Sequence, residues 1–415
     1  MMPLLYNTGI YFYHLMIRVS ALFNTKAKTW VNGRKDIFSR LKTTIDPEKP
    51  LVWFHAASLG EFEQGRPVIE AFRKAFPDYK ILLTFFSPSG YEIRKNYEGA
   101  DYIFYLPIDS PSNARQFINI VNPSLAVFIK YEFWFNYIRQ IHKNRIPMFV
   151  ISAIFRKEQH FFKWYGGWFR NQLKSVNQFF VQNEASKNLL ESIGINQVNV
   201  SGDTRFDRVS SIAVQQKENA IAATFASGNR VILGGSTWPP DEKLLLNYLQ
   251  HKPQHTKLII APHEIHKEHL SAIETMFEQF KTIRYSGADV NDLKIANVLI
   301  IDGMGFLSSL YRYCDVAYIG GGFGKGIHNI LEAVTFGKPA IFGPNYHKFS
   351  EAVNLIQKGG GFAIQNETEA KSTLDQLLND RHYYQQASGI CKSFITENTG
   401  ATNQILAAIK SHLKI

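Results

Sequence analysis

The sequence predicts an α/β protein made of two doubly wound parallel-sheet domains. From residue 51 onward, short apolar runs rich in β-branched and aromatic residues alternate with longer amphipathic runs. Such alternation is typical of parallel βαβ units. It pauses in a polar, helix-like stretch at 209–229 and starts again at 230. A chain of 415 residues, 45% of them hydrophobic, is long enough for two separate cores.

The chain begins with an apolar segment of a different kind. Residues 4–23 read LLYNTGIYFYHLMIRVSALF, which as a helix would be about 30 Å long, close to the thickness of a bilayer core. His14 and Arg18 argue against a spanning helix, and aromatic residues suit a membrane interface. We expect a membrane anchor, spanning or interfacial, with an ordinary packed helix as the alternative. Basic residues follow this segment and would keep the body of the protein in the cytoplasm. They are Lys26, Lys28, Arg34 and Lys35.

These patterns divide the chain into five parts. The predicted parts are a membrane-associated segment at 1–25, a first domain at 26–208, a linker at 209–229, a second domain at 230–380, and C-terminal helices at 381–415 that cross back to the first domain. Two such domains would face a central cleft lined by the carboxyl ends of both sheets, where ligands bind in folds of this class.

Three segments in the first half carry candidate catalytic residues. In HAASLGE, Glu61 follows a strand and suits a general base, although Ser58 and Glu61 also have the spacing of a capping box. In KYEFWFN, Glu132 follows another strand, and an ordinary ion pair is its alternative role. In SGDTRFDR, Arg205 suits an anionic ligand, while pairing with Asp203 in a hinge is the alternative.

The glycine-rich stretch VAYIGGGFGKGIHNILEAVTFGKPAIFGP at 316–344 is the main candidate for ligand binding in the second half. Strand, glycine loop, helix and strand follow one another, with the helix expected at about 328–336, so the loop suits a phosphate or nucleotide. Lys325 is followed by glycine, which excludes a P-loop. Asn329 and Glu332 lie one helical turn apart, and the Glu332 carboxylate suits ribose hydroxyls. A glycine turn without a ligand is the alternative.

Other features narrow the function. The net charge of +11 indicates an acidic partner, yet no basic stripe or known module points to nucleic acid. Two cysteines cannot build a disulfide framework. In APHEIHKEH at 261–269 the histidine spacing does not match HExxH, so we expect no metal there and favour a nucleotide contact by Pro262 and His263. The aromatic run at 160–169 suits either core packing or contact with lipid.

Taken in order, seven motifs give the chain a specific resemblance. HAASLGE, LPID-SPSNARQF, KYEFWFN, SGDTRFD, GGST, APHE and GIHNILEAVTFGKPAIFGP together resemble the 3-deoxy-D-manno-octulosonic acid (Kdo) transferases of lipopolysaccharide and lipid A biosynthesis, which are glycosyltransferases of the GT-B fold. The resemblance implies inverting transfer of Kdo from CMP-Kdo to a lipid A precursor, lipid IVA, at the cytoplasmic side of the cell inner membrane. CMP-Kdo would be the sugar-nucleotide donor, and no separate cofactor is implied.

The resemblance also implies roles for individual residues. Glu61 would be the catalytic base, and Glu132 and Arg205 would stabilise the transition state. Arg205 stands where lysine is typical, and His263 stands where arginine is common. Phe306 replaces a usual acid, and the glycine loop is shorter than usual. The residues implied to contact CMP are Pro262, His263, Met304, Gly305, Phe306, Asn329, Ile330, Leu331 and Glu332.

Two other functions fit the same patterns. One is a GT-B transferase or epimerase that uses a UDP-sugar, and the other is a non-catalytic protein that binds nucleotides or lipids. Whether CMP or UDP competes better for donor binding would distinguish a UDP-sugar enzyme from a Kdo transferase. Absence of any sugar transfer would indicate the non-catalytic protein.

Overall fold

A computed structural model describes residues 2–215, 218–251 and 255–413. The chain divides into two compact units, Met1–Arg208 with Thr399–Ile415, and Val209–Asn398. Each unit contains one seven-stranded sheet in which all the pairings between strands are parallel. The prediction of two doubly wound α/β domains is therefore confirmed.

In the first unit the strand order is β3-β2-β1-β4-β5-β6-β7. The strands are β1 Leu51–Ala56, β2 Lys80–Phe85, β3 Tyr102–Tyr105, β4 Leu125–Ile129, β5 Met148–Ala153, β6 Gln178–Val181 and β7 Val198–Val200. The helices up to the boundary are α1 Met2–Ser20, α2 Thr25–Asn32, α3 Ile37–Thr44, α4 Leu59–Ala75, α5 Pro88–Arg94, α6 Pro111–Val121, α7 Phe135–Lys143, α8 Gly167–Leu173, α9 Glu184–Glu191 and α10 Thr204–Gln215, with a short 3-10 turn at His160–Phe162.

In the second unit the strand order is β10-β11-β9-β8-β12-β13-β14. The strands are β8 Arg230–Thr237, β9 Thr256–Pro262, β10 Thr282–Arg284, β11 Val298–Ile300, β12 Val316–Ile319, β13 Ala340–Phe342 and β14 Gly361–Ala363. The remaining helices are α11 Ala220–Ala226, α12 Pro239–Gln250, α13 Lys267–Met276, α14 Val290–Ile295, α15 Leu307–Leu310, α16 Leu331–Val334, α17 Ser350–Lys358, α18 Glu367–Asn379, α19 Arg381–Asn398 and α20 Ala401–Leu413, with 3-10 turns at Tyr285–Gly287 and Tyr311–Tyr313.

Strand β1 shows why these apolar runs form buried parallel strands. All six of its residues are buried, and successive side chains enter the cores on opposite faces of the sheet. Trp53 belongs to one core and Phe54 to the other. Helix α20 completes the second of these cores with Ile405 and Ile409, so the end of the chain is part of the first unit.

Helix α1 lies on the first unit with its more polar side inward. Its partly buried positions include Tyr6, Asn7 and His14, while the outward side exposes large apolar side chains. In the part of the chain that the structure describes, no helix has the length and apolar character needed to cross a membrane. The exposed apolar residues of this outward face, including the turn after the helix, are Leu4, Leu5, Tyr11, Phe12, Tyr13, Leu15, Met16, Val19, Leu22 and Phe23.

The helix expected at about 328–336 is shorter in the structure. Only Leu331–Val334 forms one α-helical turn, α16. Ile330 and Leu331 are fully buried in the second unit, and the Asn329 side-chain oxygen accepts from the Leu331 N–H at 3.1 Å. A helix of one turn aligns few peptide dipoles, so its dipole adds little positive charge near Asn329.

Candidate active site

Glu61 lies in the first turn of α4, just after β1. Its Oε2 accepts hydrogen bonds from the backbone N–H groups of Ala57 at 2.6 Å and Ser58 at 3.2 Å. The side chain is only 6% exposed, and burial raises its pKa, while the Ala57 N–H and the Lys130 ammonium oppose that rise. The capping geometry is thus present. Within the described chain, the hydrogen bonds that Glu61 accepts end on Oε2, so Oε1 remains for a substrate proton.

Glu132 lies in the irregular segment between β4 and α7. The segment starts at Lys130, which has a left-handed backbone (φ 72°) and donates its N–H to the Ile151 carbonyl at 2.8 Å. Left-handed backbone is costly for a residue with a side chain, and such strain is common at functional sites. Among the described residues, no hydrogen-bond donor contacts the Glu132 carboxylate. Burial, and secondarily Glu61, raise the pKa of Glu132 to about 8.

The charge of Glu61 therefore acts on Glu132. At neutral pH the raised pKa keeps Glu132 mostly protonated, whereas Glu61 receives two N–H donors that favour its ionised form. Neighbouring carboxyl groups that share a site divide their protons in this way. The arrangement offers one carboxylate as a base beside one neutral carboxylic acid.

The Glu132 segment is held at its far end by a hydrogen-bond chain that the sequence did not reveal. The Trp134 indole N–H donates to His55 Nε2 at 3.1 Å, and His55 Nδ1 lies 2.9 Å from the Thr84 hydroxyl. Because Nε2 accepts, the proton of the neutral ring is on Nδ1. Burial lowers the pKa of His55 to about 3, so the ring stays neutral. The only sequence signal was the position of His55 near the end of an apolar strand.

Arg205 lies in the first turn of α10. Its guanidinium makes two contacts with the Asp203 carboxylate, at 2.8 and 2.7 Å, and its backbone N–H bonds the same side chain. Thr204, one residue earlier, donates to the carbonyl of Gln64, in the same helix as Glu61. The structure thus shows the pairing with Asp203 that was the alternative to ligand binding, and it ties the start of α10 to α4.

A groove of about 560 Å³ lies beside Glu132 in the first unit. Its walls are mostly aromatic, and Arg156 is one of its few charged groups. Trp164, in the neighbouring aromatic run, is 92% exposed. Within the run at 160–169, Phe161 is core whereas Trp164 is exposed. The residues that line the groove are Tyr131, Glu132, Phe133, Trp134, Phe135, Ile154, Arg156, Glu158, Gln159, His160, Phe161 and Phe169.

In the second unit, the glycine loop is shaped mainly by its own hydrogen bonds. Gly321 has φ +87° and donates its N–H to the buried Asp241 carboxylate at 2.9 Å. Asp241 also accepts from the Tyr318 hydroxyl at 2.8 Å and caps its own helix at the Trp238 N–H. A Cβ on Gly320 would lie 2.2 Å from a backbone oxygen of β8. The Gly321 amide is therefore not open to an anion.

Three rings form a stack next to this loop. The imidazole of His263 lies 4.8 Å from the Trp238 ring and 4.4 Å from the His328 ring, nearly parallel to both. The Trp238 indole N–H approaches His328 Nε2 at 3.3 Å. Burial, followed by His263, lowers the pKa of His328. Pro262 ends β9, so this stack lies at the carboxyl ends of strands, where ligands bind in such sheets.

The other residues expected to contact the nucleotide differ from one another in exposure and in bonding partners. Met304 is 80% exposed, Gly305 has φ +85°, and the Phe306 ring packs against Tyr285 with 4.7 Å between centroids. Asn329 donates from its amide to the Glu332 carboxylate at 3.2 Å. Because the side chains of Ile330 and Leu331 are fully buried, only their backbone groups remain for a ligand.

The histidines after β9 have separate partners. His266 accepts from the His269 N–H at the start of α13, and His269 contacts the buried Glu242 carboxylate at 3.1 Å. Across residues 2–215, 218–251 and 255–413, no three His, Cys, Asp or Glu side chains are grouped to hold a metal ion.

Comparison with known proteins agrees with the resemblance to the Kdo transferases. The sequence model of the 3-deoxy-D-manno-octulosonic-acid transferase (Kdo transferase) family matches residues 34–208, which contain Glu61, Glu132 and Arg205. The 3-deoxy-D-manno-octulosonic acid transferase of Haemophilus influenzae is 25% identical over 377 residues, covering 88% of this chain and 87% of the relative. The enzyme of the same name from Chlamydia trachomatis serovar A is 27% identical, covering 92% of this chain and 91% of its own.

The chain is thus similar to Kdo transferases over most of its length, and its residues 34–208 match the model of that family. These relatives are transferases by name, which agrees with the prediction of a glycosyltransferase. A UDP-GlcNAc 2-epimerase from Neisseria meningitidis, bound to UDP-GlcNAc, has the same fold, with a TM-score of 0.62 at 18% identity over 88% of this chain and 100% of the epimerase. The GT-B architecture expected from the resemblance is thus confirmed.

Proposed function

We propose that this protein transfers Kdo from CMP-Kdo to a lipid A precursor, lipid IVA, with inversion at the anomeric carbon, in lipopolysaccharide biosynthesis. The observation that carries the proposal is the interacting pair of Glu61 and Glu132, placed after β1 and β4 within the region that matches the family. A glycosyl transfer needs a base for the attacking hydroxyl, and this pair supplies one carboxylate in a largely buried setting.

The base in this proposal is Glu61. Its carboxylate takes the proton of an acceptor hydroxyl as that oxygen forms a bond to the anomeric carbon of Kdo. The bond from that carbon to the phosphate oxygen breaks on the opposite face, and CMP leaves with the bonding electrons. Burial raises the pKa of Glu61 toward neutral pH, which increases its strength as a base while it remains ionised.

Glu132 and Arg205 support the transfer in different ways. Glu132, protonated at neutral pH, offers a hydrogen-bond donor beside the base and avoids a second negative charge there. Arg205 supplies a cation held in one orientation by Asp203, and a preoriented cation stabilises the charge of the departing phosphate.

We assign CMP to the glycine-loop side of the second unit. The supporting features are the ring stack of His263 with Trp238 and His328, which offers a flat surface, and the Asn329–Glu332 pair, which offers polar groups to a ribose. Pro262, Met304, Gly305 and Phe306, with the backbone of Ile330 and Leu331, complete the proposed contacts.

The lipid acceptor and the membrane complete the proposal. The outward face of α1 exposes large apolar side chains from Leu4 to Val19, and basic residues follow the helix, which suits binding to the anionic cytoplasmic side of the inner membrane. The aromatic groove beside Glu132 suits the acyl part of the acceptor, and Arg156 suits one of its anionic groups.

The direct test is incubation of the protein with CMP-Kdo and a tetraacylated lipid A precursor, with mass spectrometry to count the Kdo units added. Glu61→Gln should reduce the rate by at least about 100-fold, since general-base catalysis contributes on the order of 10² or more. Glu63→Gln is the matched control, because Glu63 lies two residues away and pairs with Arg94 at 2.7 Å. Full turnover by Glu61→Gln would refute the base, and turnover of a UDP-sugar in place of CMP-Kdo would refute the donor.

Membrane attachment is tested separately by flotation with anionic vesicles. The double substitution Phe12→Asp and Leu15→Asp places charges on the outward face of α1 and should release the protein. Thr8→Asp is the control on the same helix, since it adds a charge without removing a large apolar side chain. Equal flotation of the double variant and the wild type would contradict attachment through this face.

A further inference from the structure

Helix α1 is joined to the first unit by polar contacts on its inward side. The Tyr6 hydroxyl donates to Asp109 Oδ2 at 2.6 Å, and Asn7 Oδ1 accepts from the Asn136 amide at 2.9 Å. These bonds connect positions more than 100 residues apart. A helix with an apolar outward face is thus held by hydrogen bonds on the opposite face.

Asp109 is the centre of this contact. It is buried, and besides Tyr6 it accepts from the backbone N–H groups of Asn136 and Tyr137, each at 3.0 Å. These amides lie in the first turn of α7, where no intrahelical acceptor exists. The N-cap residue Trp134 makes no side-chain cap, so Asp109 caps α7 from another part of the chain.

The ring of Tyr6 also reaches the wall of the aromatic groove. Its centroid lies 5.2 Å from Phe135, in an edge-to-face arrangement, and 5.6 Å from Trp168. Phe135 lines the groove, and α7 directly follows the segment that carries Glu132. Tyr6 therefore supports both the capped turn and the groove wall from behind.

We propose that Tyr6 is a positioning residue through which α1 holds the start of α7, and with it the acceptor groove and the Glu132 segment, in the geometry that receives the acceptor. This inference rests on the proposed function and assigns α1 a second task beside membrane attachment. The outward face binds lipid and the inward face completes the site. The two tasks can be separated by substitution, because they use different sides of one helix.

Tyr6→Phe removes only the hydroxyl that bonds Asp109 and keeps the ring against Phe135. Loss of a hydrogen bond to a charged group should raise the KM for the lipid acceptor roughly tenfold, with the KM for CMP-Kdo unchanged. Tyr11→Phe is the matched control, because Tyr11 lies on the exposed face of the same helix. Asn7→Ala, which removes the bond to Asn136, should act in the same direction as Tyr6→Phe.

A second readout does not depend on activity. Amide hydrogen exchange of Asn136 and Tyr137 should be several-fold faster in full-length, vesicle-bound Tyr6→Phe than in wild type or Tyr11→Phe, because their acceptor is less firmly held. Vesicle flotation of Tyr6→Phe should equal that of the wild type.

The proposal is overturned if exchange and acceptor KM are the same in Tyr6→Phe and Tyr11→Phe. It is also overturned if the rise in KM accompanies an equal loss of flotation, since α1 would then act only by bringing the enzyme to the membrane. A wild-type protein that transfers no Kdo would refute the proposed function, while the exchange comparison would still decide the role of Tyr6.

Discussion

Replacing Glu132 by glutamine should make the protein more stable at neutral pH. The Glu132 side chain is half-buried next to Glu61, and burial with that neighbour raises its pKa from 4.5 to about 8. Because the folded pKa exceeds the unfolded one, the stability contributed by the protonated form is complete below about pH 4.5. It is lost progressively as the pH rises through about 8.

The size of the effect follows from the two pKa values. One pKa unit corresponds to about 1.36 kcal/mol, and pH 7 lies roughly 2.5 units above the unfolded pKa, so keeping Glu132 in the folded site costs about 3 kcal/mol. Partial exposure of the side chain reduces this to about 2 to 3 kcal/mol. Glutamine resembles the neutral acid, so Glu132→Gln should be more stable than wild type by that amount at pH 7 and equal to it near pH 4.

Urea unfolding between pH 4 and 9, followed by tryptophan fluorescence, measures this difference. Five of the six tryptophans lie in the first unit, so the signal reports mainly the unit that contains Glu132. Glu158→Gln, an exposed position on the same groove, is the control and should leave stability unchanged. A Glu132→Gln protein that is no more stable than wild type at pH 7, or whose gain is independent of pH, would show that the carboxyl group is not held in a site that resists its ionisation.

Three further substitutions test other parts of the structure. Asp241→Asn should lower the free energy of unfolding of the second unit by about 2 kcal/mol and raise the KM for CMP-Kdo, because it weakens the hydrogen bonds to Tyr318 and Gly321. An unchanged melting temperature and KM would show that Asp241 does not hold the glycine loop. Gly320→Ala should abolish the binding of CMP measured by calorimetry, because the added Cβ would collide with the backbone of β8. In Gly324→Ala the added Cβ makes only ordinary contacts, so this variant should bind CMP normally. His55→Leu should cut kcat roughly tenfold by freeing Trp134, and His55→Gln, which can still accept from the indole, should recover most of it; equal activity of the two variants would exclude the hydrogen bond as the cause.

The sequence by itself determined the fold and the strand ends. Parallel strands buried on both faces appear as short continuous apolar runs, as in β1 and β4, and their alternation with amphipathic helices leaves little choice of architecture. The residues that follow these runs, Glu61 and Glu132, could therefore be expected at one edge of one sheet. Their motifs also carried the family resemblance.

Local pattern was a poorer guide in the glycine loop. The pattern predicted a helix at about 328–336, but only one helical turn forms, and Ile330 and Leu331 are buried as core. The loop amide of Gly321 is bonded to Asp241, 80 residues earlier in the chain. Nothing in the spacing of the glycines indicates that partner, because a side chain from another element supplies it.

Only the tertiary structure decided the protonation states and the direction of α1. The pKa of Glu132 depends on burial and on Glu61, and the neutral state of His55 depends on the depth of the sheet. The apolar segment at 4–23 was compatible with spanning, interfacial or packed positions. The bond from Tyr6 to Asp109 fixes which side of α1 faces the first unit and leaves its apolar side outward. Sequence periodicity specifies helices, strands and their buried faces, whereas charge states and long-range partners depend on which groups the folded chain brings together.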